Sequence, residues 1–152
     1  MESFEDELLS ALKTGFIDEG HQSPSELRPN LLVNDERTGQ KIYPVFRDEL
    51  ENCKEFAFSV AFITRGGISL LANTLETLRE KGVRGRVVTS NYLNFNEPDA
   101  LRFLLSFPNI DVRIIDNQNM HAKGFIFRRD KGWNIIVGSA NLTDTALTSN
   151  NE

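Results

Sequence analysis

Two short motifs in the last third of the chain combine side chains that could bind and attack a phosphate group. His121 and Lys123 stand two residues apart, and Gly138-Ser139-Ala140-Asn141 follows them. Residues two apart on a strand project from the same face, so a strand here would present the imidazole and the ammonium together. An imidazole, an ammonium, a hydroxyl and a carboxamide on one rim are suited to phosphate binding and phosphoryl transfer.

The segment between the two motifs predicts a β-hairpin. Residues 124–127 and 133–137 have the composition of strands, and the charged stretch 128–132 between them ends in glycine, as a turn would. If the turn is centred near Asp130 or Lys131, cross-strand partners have residue numbers that sum to about 260–262. The hairpin would therefore return the chain towards the point where the first motif stands.

This pairing predicts which motif residues meet. Lys123 would lie opposite Ser139 or a neighbour, and His121 opposite a residue between Ser139 and Asn141. Thr143 is expected to cap a helix that begins just beyond Asn141. The N–H groups at the start of that helix would favour an anion at the same place. The sequence thus predicts one phosphate site built from both motifs.

The rest of the chain alternates helices with strands, which is typical of an α/β domain with a largely parallel sheet and an antiparallel hairpin. The strand over 55–63 is apolar almost throughout, which predicts that both of its faces are covered. We expect residues 1–29 to form an N-terminal helix and a polar arm, and residues 30–152 to form the domain. The apolar spacing predicts helices at 4–13, 42–52, 68–81 and 98–107, and strands at 31–33, 55–63, 85–89 and 111–115.

Bulk properties favour a cytoplasmic protein. The chain has 152 residues, enough for one domain with a real core, and no apolar run approaches the roughly 20 residues that span a bilayer. The acidic N-terminus is unlike a signal peptide. A single cysteine, Cys53, excludes an internal disulfide and suits a reducing compartment; we expect it to be a buried apolar residue rather than a catalytic thiol.

The charge balance bears on nucleic-acid binding. A net charge of −5 argues against strong, uniform attraction to a polyanion. Basic residues concentrated in the second half could form a local binding surface. The alternative interpretation is that they lie on a solvated sheet edge and turn. The basic residues concerned are Arg84, Arg86, Arg113, Arg128, Arg129 and Lys131.

The two motifs have the pattern of a known superfamily. His-x-Lys together with Gly-Ser-x-Asn resembles the signature of the phospholipase D superfamily, which includes phospholipases, metal-independent nucleases and related phosphodiesterases. Further stretches resemble the nuclease-like domain at the N-terminus of some bacterial superfamily II helicases and the related domains of some restriction endonucleases. These stretches are Phe58–Thr64, Thr89–Leu93 and Met120–Phe125.

The resemblance spans roughly residues 30–152 and implies a phospholipase D/nuclease-like sandwich, with a mixed, mostly parallel sheet flanked by helices. Related domains continue with another core strand where this chain stops. The resemblance therefore implies a domain truncated at its C-terminus, with an exposed sheet edge that is open to self-pairing.

The resemblance also implies a role for each site residue. His121 would attack phosphorus and form a phosphohistidine intermediate, and Lys123 would balance charge on the non-bridging oxygens. Asn141, with Ser139, would donate hydrogen bonds to those oxygens. Glu152 stands where some of these nucleases place a carboxylate that orients the histidine; the other interpretation is a solvated residue near the end of the chain. No metal or other cofactor is implied.

Two departures from the family pattern matter. The fuller motif has an aspartate five residues after the lysine, but Arg128 stands there, and Asp130 cannot be assumed to replace it. This weakens the phospholipase interpretation more than the nuclease one. The mechanism also needs a second histidine to protonate the leaving oxygen, and the chain has one motif. A twofold homodimer would bring two copies of His121 to a shared site.

Three functions remain open at this point. The first is a metal-independent phosphodiesterase that acts on DNA and is normally attached to a helicase or restriction module. The second is a non-cleaving module that holds a nucleic-acid backbone or end for a fused helicase. The third, phospholipid hydrolysis, is the least favoured because nothing in the sequence indicates export or membrane association. The chain lacks a Gly-x-x-x-x-Gly-Lys-Ser/Thr loop and is not expected to hydrolyse ATP.

Overall fold

Helices and strands alternate along the chain in the computed structural model, which describes residues 3–12, 27–91, 94–116 and 120–150. The helices are α1 Phe4–Leu12, α2 Ile42–Glu51, α3 Arg65–Glu80, α4 Pro98–Leu105 and α5 Asp144–Thr148. The strands are β1 Glu55–Ser59, β2 Arg84–Ser90, β3 Ile110–Ile115, β4 Gly124–Arg129 and β5 Gly132–Val137. The chain divides into two units, Met1–Leu32 and Val33–Glu152.

The first unit contains the predicted N-terminal helix, α1. Ser3 and Asp6 close its first turn reciprocally: the Ser3 hydroxyl accepts from the Asp6 N–H at 3.2 Å, and the Asp6 carboxylate accepts from the Ser3 N–H at 3.3 Å. Phe4 and Leu9 are exposed. Most of the predicted polar arm lies outside the described residues. No described helix is long and apolar enough to cross a membrane.

The second unit is built on a five-stranded sheet with the order β3-β2-β1-β4-β5. β1 pairs in parallel with β2, and β2 with β3, whereas β4 is antiparallel to both β1 and β5. The predicted mixed sheet is confirmed, although its parallel and antiparallel pairings are equal in number. The hairpin turns at 130–131, and pairs such as Gly124 with Val137 have numbers that sum to 261, within the predicted range.

Aromatic side chains join α2 to one face of the sheet. The ring centroid of Phe46, on α2, lies 5.4 Å from that of Phe58, 4.8 Å from that of Phe125 and 5.5 Å from that of Phe127. All four side chains are buried, and each buried phenylalanine contributes about 1.5–3 kcal/mol through the hydrophobic effect. This cluster fixes α2 on the sheet and makes the middle strands a rigid base for the loops at their ends.

The opposite face of the sheet is only partly covered, so the expectation that β1 is buried on both faces was wrong. Phe56 and Phe58 are buried, but their neighbours along β1 are partly exposed. The apolar run misled because β1 ends at Ser59, and the apolar residues beyond it are buried in the following segment. On β5, Trp133 and Val137 are also exposed.

One predicted strand and one predicted helix start were also wrong. Residues 31–33 form no strand; the buried Asn34 that follows them instead connects helices through its amide. Its Oδ1 accepts from the Ile42 N–H at 2.9 Å, and its Nδ2 donates to the Ala146 carbonyl at 2.9 Å, so it ties the start of α2 to α5. Helix α3 begins at Arg65 rather than near residue 68, because the Thr64 hydroxyl caps it and both glycines join its first turn.

Candidate active site

The candidate site lies at one end of the sheet. The register places Ser59, the last residue of β1, beside Val88 near the end of β2 and opposite Gly124 at the start of β4. Four segments continue from these strand ends, and hydrogen bonds connect them to one another. Their described residues are 60–64, 91 with 94–97, 120–123 and 138–143.

His121 and Lys123 contact each other, but not in the way that strand alternation predicted. Both precede β4, since the ladder stops at Gly124 and Val137. Lys123 folds back instead: its Nζ lies 2.9 Å from His121 Nδ1 and 3.3 Å from Nε2, and it donates to the His121 carbonyl at 2.9 Å. An ammonium donates only to a ring nitrogen that carries no proton, so the tautomer decides which of the two ring contacts is a hydrogen bond.

Phe62 links the two motifs. Its ring centroid lies 5.8 Å from that of the exposed His121, at an interplanar angle of 78°. Its N–H donates to Asn141 Oδ1 at 3.1 Å. Because a backbone N–H can only donate, this bond fixes the orientation of the Asn141 amide and leaves Nδ2 as the group that can donate to an anion. His121 and Asn141 thus both contact Phe62, a residue that the motifs do not contain.

Ser139, Glu152 and Thr143 are the remaining residues that the sequence analysis predicted at or near the site. Ser139 is exposed in the segment between β5 and Asn141. Glu152 lies outside the described residues. The predicted cap is present, because the Thr143 hydroxyl accepts from the Ala146 N–H at 3.2 Å. However, α5 has only five residues and an aspartate in its first turn, so its dipole adds little for an anion.

Asn96 is a central residue of the site that the sequence analysis missed. Its Oδ1 accepts from the Ile63 N–H at 2.8 Å and from the Thr89 hydroxyl at 3.3 Å. Its Nδ2 donates to the carbonyls of Ser90 and Ala61. One amide therefore holds the ends of β1 and β2 together. The only sequence signal was an asparagine shortly before a helix that starts with proline, which is equally typical of an ordinary turn.

Ser90 and Gly67 position the two motifs against the ends of β1 and β2 that Asn96 joins. The Ser90 hydroxyl donates at 3.2 Å to the carbonyl of Met120, the residue before His121. Gly67, in the first turn of α3, approaches the second motif so closely that a Cβ atom there would lie 2.3 Å from the Leu142 carbonyl oxygen. The Thr64 N–H donates to the same oxygen at 3.1 Å.

The basic cluster of the second half lies mainly at the other end of the sheet. Arg128 pairs with Glu55 in the β1–β4 register, and its Nε lies 3.4 Å from a Glu55 carboxylate oxygen. Arg86 contacts the other Glu55 oxygen at 2.5 Å, and Arg129 lies 3.5 Å from Glu49. These pairings favour the solvated interpretation of the cluster. They also give Arg128, in the position of the family aspartate, a partner far from His121.

A metal site does not emerge from the part of the chain that is described. No three histidine, cysteine, aspartate or glutamate side chains there are grouped closely enough to hold a metal ion.

Comparison with known proteins identifies the family. The model of a family described as "Cardiolipin synthase, PLD-like domain" matches residues 47–152, which include both motifs. The chain belongs to this PLD-like family. Members of PLD-like domain families are phosphodiesterases and phosphotransferases. No curated protein matches the chain.

The fold agrees with this assignment. The structure is similar to that of polyphosphate kinase from Porphyromonas gingivalis, with a TM-score of 0.53 and 17% sequence identity. The match covers 94% of this chain and 21% of that chain, so this PLD-like chain spans about a fifth of the kinase's length. At this identity the likeness shows a shared fold alone. It confirms the predicted phospholipase D-like α/β architecture.

Proposed function

We propose that this PLD-like domain is a metal-independent phosphodiesterase that cleaves DNA through a phosphohistidine intermediate. The observations that carry the proposal are the contact of His121 with Lys123 and the contacts of Phe62 with both His121 and Asn141, in a chain of the PLD-like family. An imidazole, an ammonium and an amide donor combine a nucleophile with groups that stabilise negative charge on oxygen.

The reaction has two steps. A nitrogen of His121 attacks phosphorus; the P–N bond forms, the P–O bond to the leaving nucleotide breaks, and the leaving oxygen takes a proton from a general acid. Water then attacks phosphorus and gives up a proton to the conjugate base of that acid. The P–N bond breaks, and the imidazole is regenerated. Each step exchanges one bond to phosphorus for another, so no oxidant or reductant is needed.

Lys123 must change partners during this reaction. Its ammonium occupies the edge of the imidazole that carries both ring nitrogens. For His121 to attack, the ammonium must turn to the non-bridging phosphate oxygens, where it balances their charge. The Nδ2 of Asn141 and the Ser139 hydroxyl would donate to the same oxygens. Glu152 would orient the histidine.

A second copy of the chain would supply the general acid. His21, the only other histidine, lies in the predicted polar arm and has no lysine two residues later. A twofold homodimer would place His121 of a second copy across the scissile bond, because an isologous interface brings equivalent residues together. Full activity in a protein that remains monomeric at high concentration would contradict this part of the proposal.

Two sequence features support DNA as the substrate and a helicase or restriction protein as the setting. The segments around residues 58–64, 89–93 and 120–125 resemble the nuclease-like domains of such proteins. The loss of the motif aspartate also weakens the phospholipase alternative. The acidic net charge and the paired arginines predict modest affinity for DNA, which a fused motor would offset by raising the local concentration.

A non-cleaving nucleic-acid-binding module is the second candidate. It is favoured by Arg128 in the aspartate position and by the contact of the Lys123 ammonium with both nitrogens of His121.

The decisive experiment incubates the protein with labelled DNA in EDTA. We expect cleavage by the intact protein and at least about a 10³-fold loss in His121→Ala, because the nucleophile is gone. His21→Ala is the matched control and should cleave normally. Binding without cleavage by the intact protein would support the module, and neither binding nor cleavage would contradict both candidates.

A further inference from the structure

Three rings form a row at the candidate site. The ring of Phe95 packs against that of Phe62, with centroids 5.1 Å apart and planes at 89°, and Phe62 packs in the same edge-to-face manner against His121. Phe95 is 56% exposed. An aromatic side chain at the outer end of this row therefore presents a surface to solvent, one ring away from the imidazole.

The backbone around Phe95 is firmly tied. Asn94 has a φ of +54°, a left-handed conformation that is uncommon outside glycine, and its N–H donates to the Asn91 carbonyl at 3.2 Å. On the other side, the Asn96 amide joins the ends of β1 and β2. The Glu97 carboxylate accepts from the Arg65 N–H at 2.7 Å. Phe95 thus lies exposed between residues whose backbone or side chains are hydrogen-bonded, and unusual backbone conformations such as that of Asn94 occur at binding sites.

We propose that Phe95 is a stacking platform for the base next to the scissile phosphate, so that the site selects single-stranded or unpaired nucleotides. The proposal rests on the proposed function and names its substrate class more closely. A base stacks on an aromatic ring whatever its identity, so the platform recognises strandedness rather than sequence. In a duplex the bases are already stacked on each other. No base could therefore stack on Phe95 unless it were first unstacked from its neighbours.

The surroundings of Phe95 favour a base over an acyl chain or an apolar protein segment. Its sequence neighbours are polar: Asn94 and Asn96 flank it directly, and Glu97 follows. A flat ring with polar edges can stack on the phenyl group while an edge meets the exposed Asn94. An acyl chain or an apolar helix would instead need a continuous apolar patch.

The test measures binding of a fluorescent single-stranded oligonucleotide in a His121→Ala background, where cleavage does not interfere. Phe95→Ala and Phe95→Leu should both weaken binding by roughly 5- to 100-fold, since leucine keeps apolar volume but has no aromatic face. Phe95→Trp should restore or strengthen binding. Phe103→Ala, which removes a partly exposed phenylalanine on α4, is the matched control and should change little.

A second measurement reports stacking directly. The chain has one tryptophan, Trp133 on β5, so Phe95→Trp combined with Trp133→Phe gives a protein whose only indole lies at the platform. Its fluorescence should be quenched by a single strand, less by the same strand with an abasic nucleotide at the stacking position, and least by a duplex.

Four outcomes separate the possibilities. Equal binding by the protein that keeps Phe95 and by its Phe95→Leu and Phe95→Ala variants would overturn the stacking proposal. Equal quenching by intact and abasic strands would also overturn it. Phe95-dependent binding to anionic phospholipid vesicles without such dependence for oligonucleotides would also overturn it. Phe95-dependent binding by a protein that does not cleave DNA in EDTA would support the platform and contradict only the phosphodiesterase activity.

Discussion

The two ends of β1 are built from different kinds of interaction. At its start, the Glu55 carboxylate pairs with Arg86 and Arg128, both of them substantially exposed. Beyond its end, the amides of Asn96 and Asn141 bind the main chain of residues 61–63. Charges neutralise each other at one end, whereas neutral amides hold the backbone at the other. A phosphate at the amide end would compete with the imidazole and carbonyl of His121 for the Lys123 ammonium.

The two ends should also differ in their sensitivity to substitution. Exposed ion pairs contribute only about 0–1 kcal/mol, because water and salt screen them. A buried backbone donor that loses its acceptor costs about 1–3 kcal/mol. Substitutions at the amide end are therefore expected to change both stability and function, and substitutions at the ion-pair end to change little.

The largest difference between the two ends should appear when two cationic side chains are compared, Lys123 at the amide end and Arg128 at the ion-pair end. We expect Lys123→Ala to lower the turnover of DNA cleavage by about 10²–10³-fold, because the ammonium would balance charge on the transferring phosphoryl group. Arg128→Ala, the matched control at the ion-pair end, should change turnover by less than about twofold. Single-turnover rates in EDTA measure both. Equal losses in the two variants would contradict the separation between the ends.

Two glycines give the next largest contrast. Gly67→Ala would place a Cβ atom 2.3 Å from the Leu142 carbonyl oxygen, so the second motif must move away from α3, at a cost of about 3 kcal/mol. Gly138 has no atom within 4 Å of the corresponding position, and Gly138→Ala should leave stability nearly unchanged. Urea unfolding of both variants measures the difference. A stable Gly67→Ala protein would mean that the two segments are not packed as described.

These residues show which parts of the molecule the sequence could predict. The hairpin register was predictable because turn chemistry and strand alternation are local. The family signature predicts roles for His121, Lys123 and Asn141, and these roles stay predictions. The roles of Asn96 and Gly67 were not predictable, because each contacts a segment far away in sequence, around Ala61 and Ile63 for Asn96 and at Leu142 for Gly67. Either residue would also be ordinary in a turn. The boundary of β1 failed for a related reason: burial of Val60, Ala61 and Ile63 outside the strand leaves the same apolar pattern as burial within it.

Asn96 offers a test of the amide end that is independent of catalysis. Asn96→Ala removes the acceptor of the Ile63 N–H and the donor to two carbonyls, and should lower the free energy of unfolding by about 2 kcal/mol. Asn52→Ala is the control, since Asn52 precedes β1 and its exposed amide donates to Asp48, a near neighbour in sequence. Thermal unfolding measures both effects. Asn52→Ala should cost less than about 0.5 kcal/mol, and a larger cost there than at Asn96 would reverse the comparison.

The ion-pair end should respond weakly even to removal of its central charge. Glu55→Gln removes the negative charge that Arg86 and Arg128 share, and we expect a loss of at most about 1 kcal/mol. The loss should shrink further at high salt, because salt screens the interaction in the intact protein. Chemical unfolding at low and high ionic strength measures it. A loss that is large and insensitive to salt would mean that this pair is structural.

Cys53, just before β1 at the ion-pair end, should have an effect that appears only at high pH. Burial raises the pKa of its thiol from 9.0 to about 11, and the thiol donates to the Leu50 carbonyl. Between these two values the unfolded chain loses the proton while the folded protein keeps it, so the free energy of unfolding must fall as the pH rises from about 9 to 11.

Cys53→Ala removes this contribution of the thiol to the pH dependence of stability. Below pH 9 the variant is less stable because it loses packing, but its stability should fall less steeply over the interval from about 9 to 11. Urea unfolding at pH 8 and pH 10 gives the two slopes, and parallel curves for both proteins would contradict a buried, protonated thiol. Well below pH 9 the thiol is protonated in both states, so this group should leave the pH dependence of stability unchanged at neutral pH.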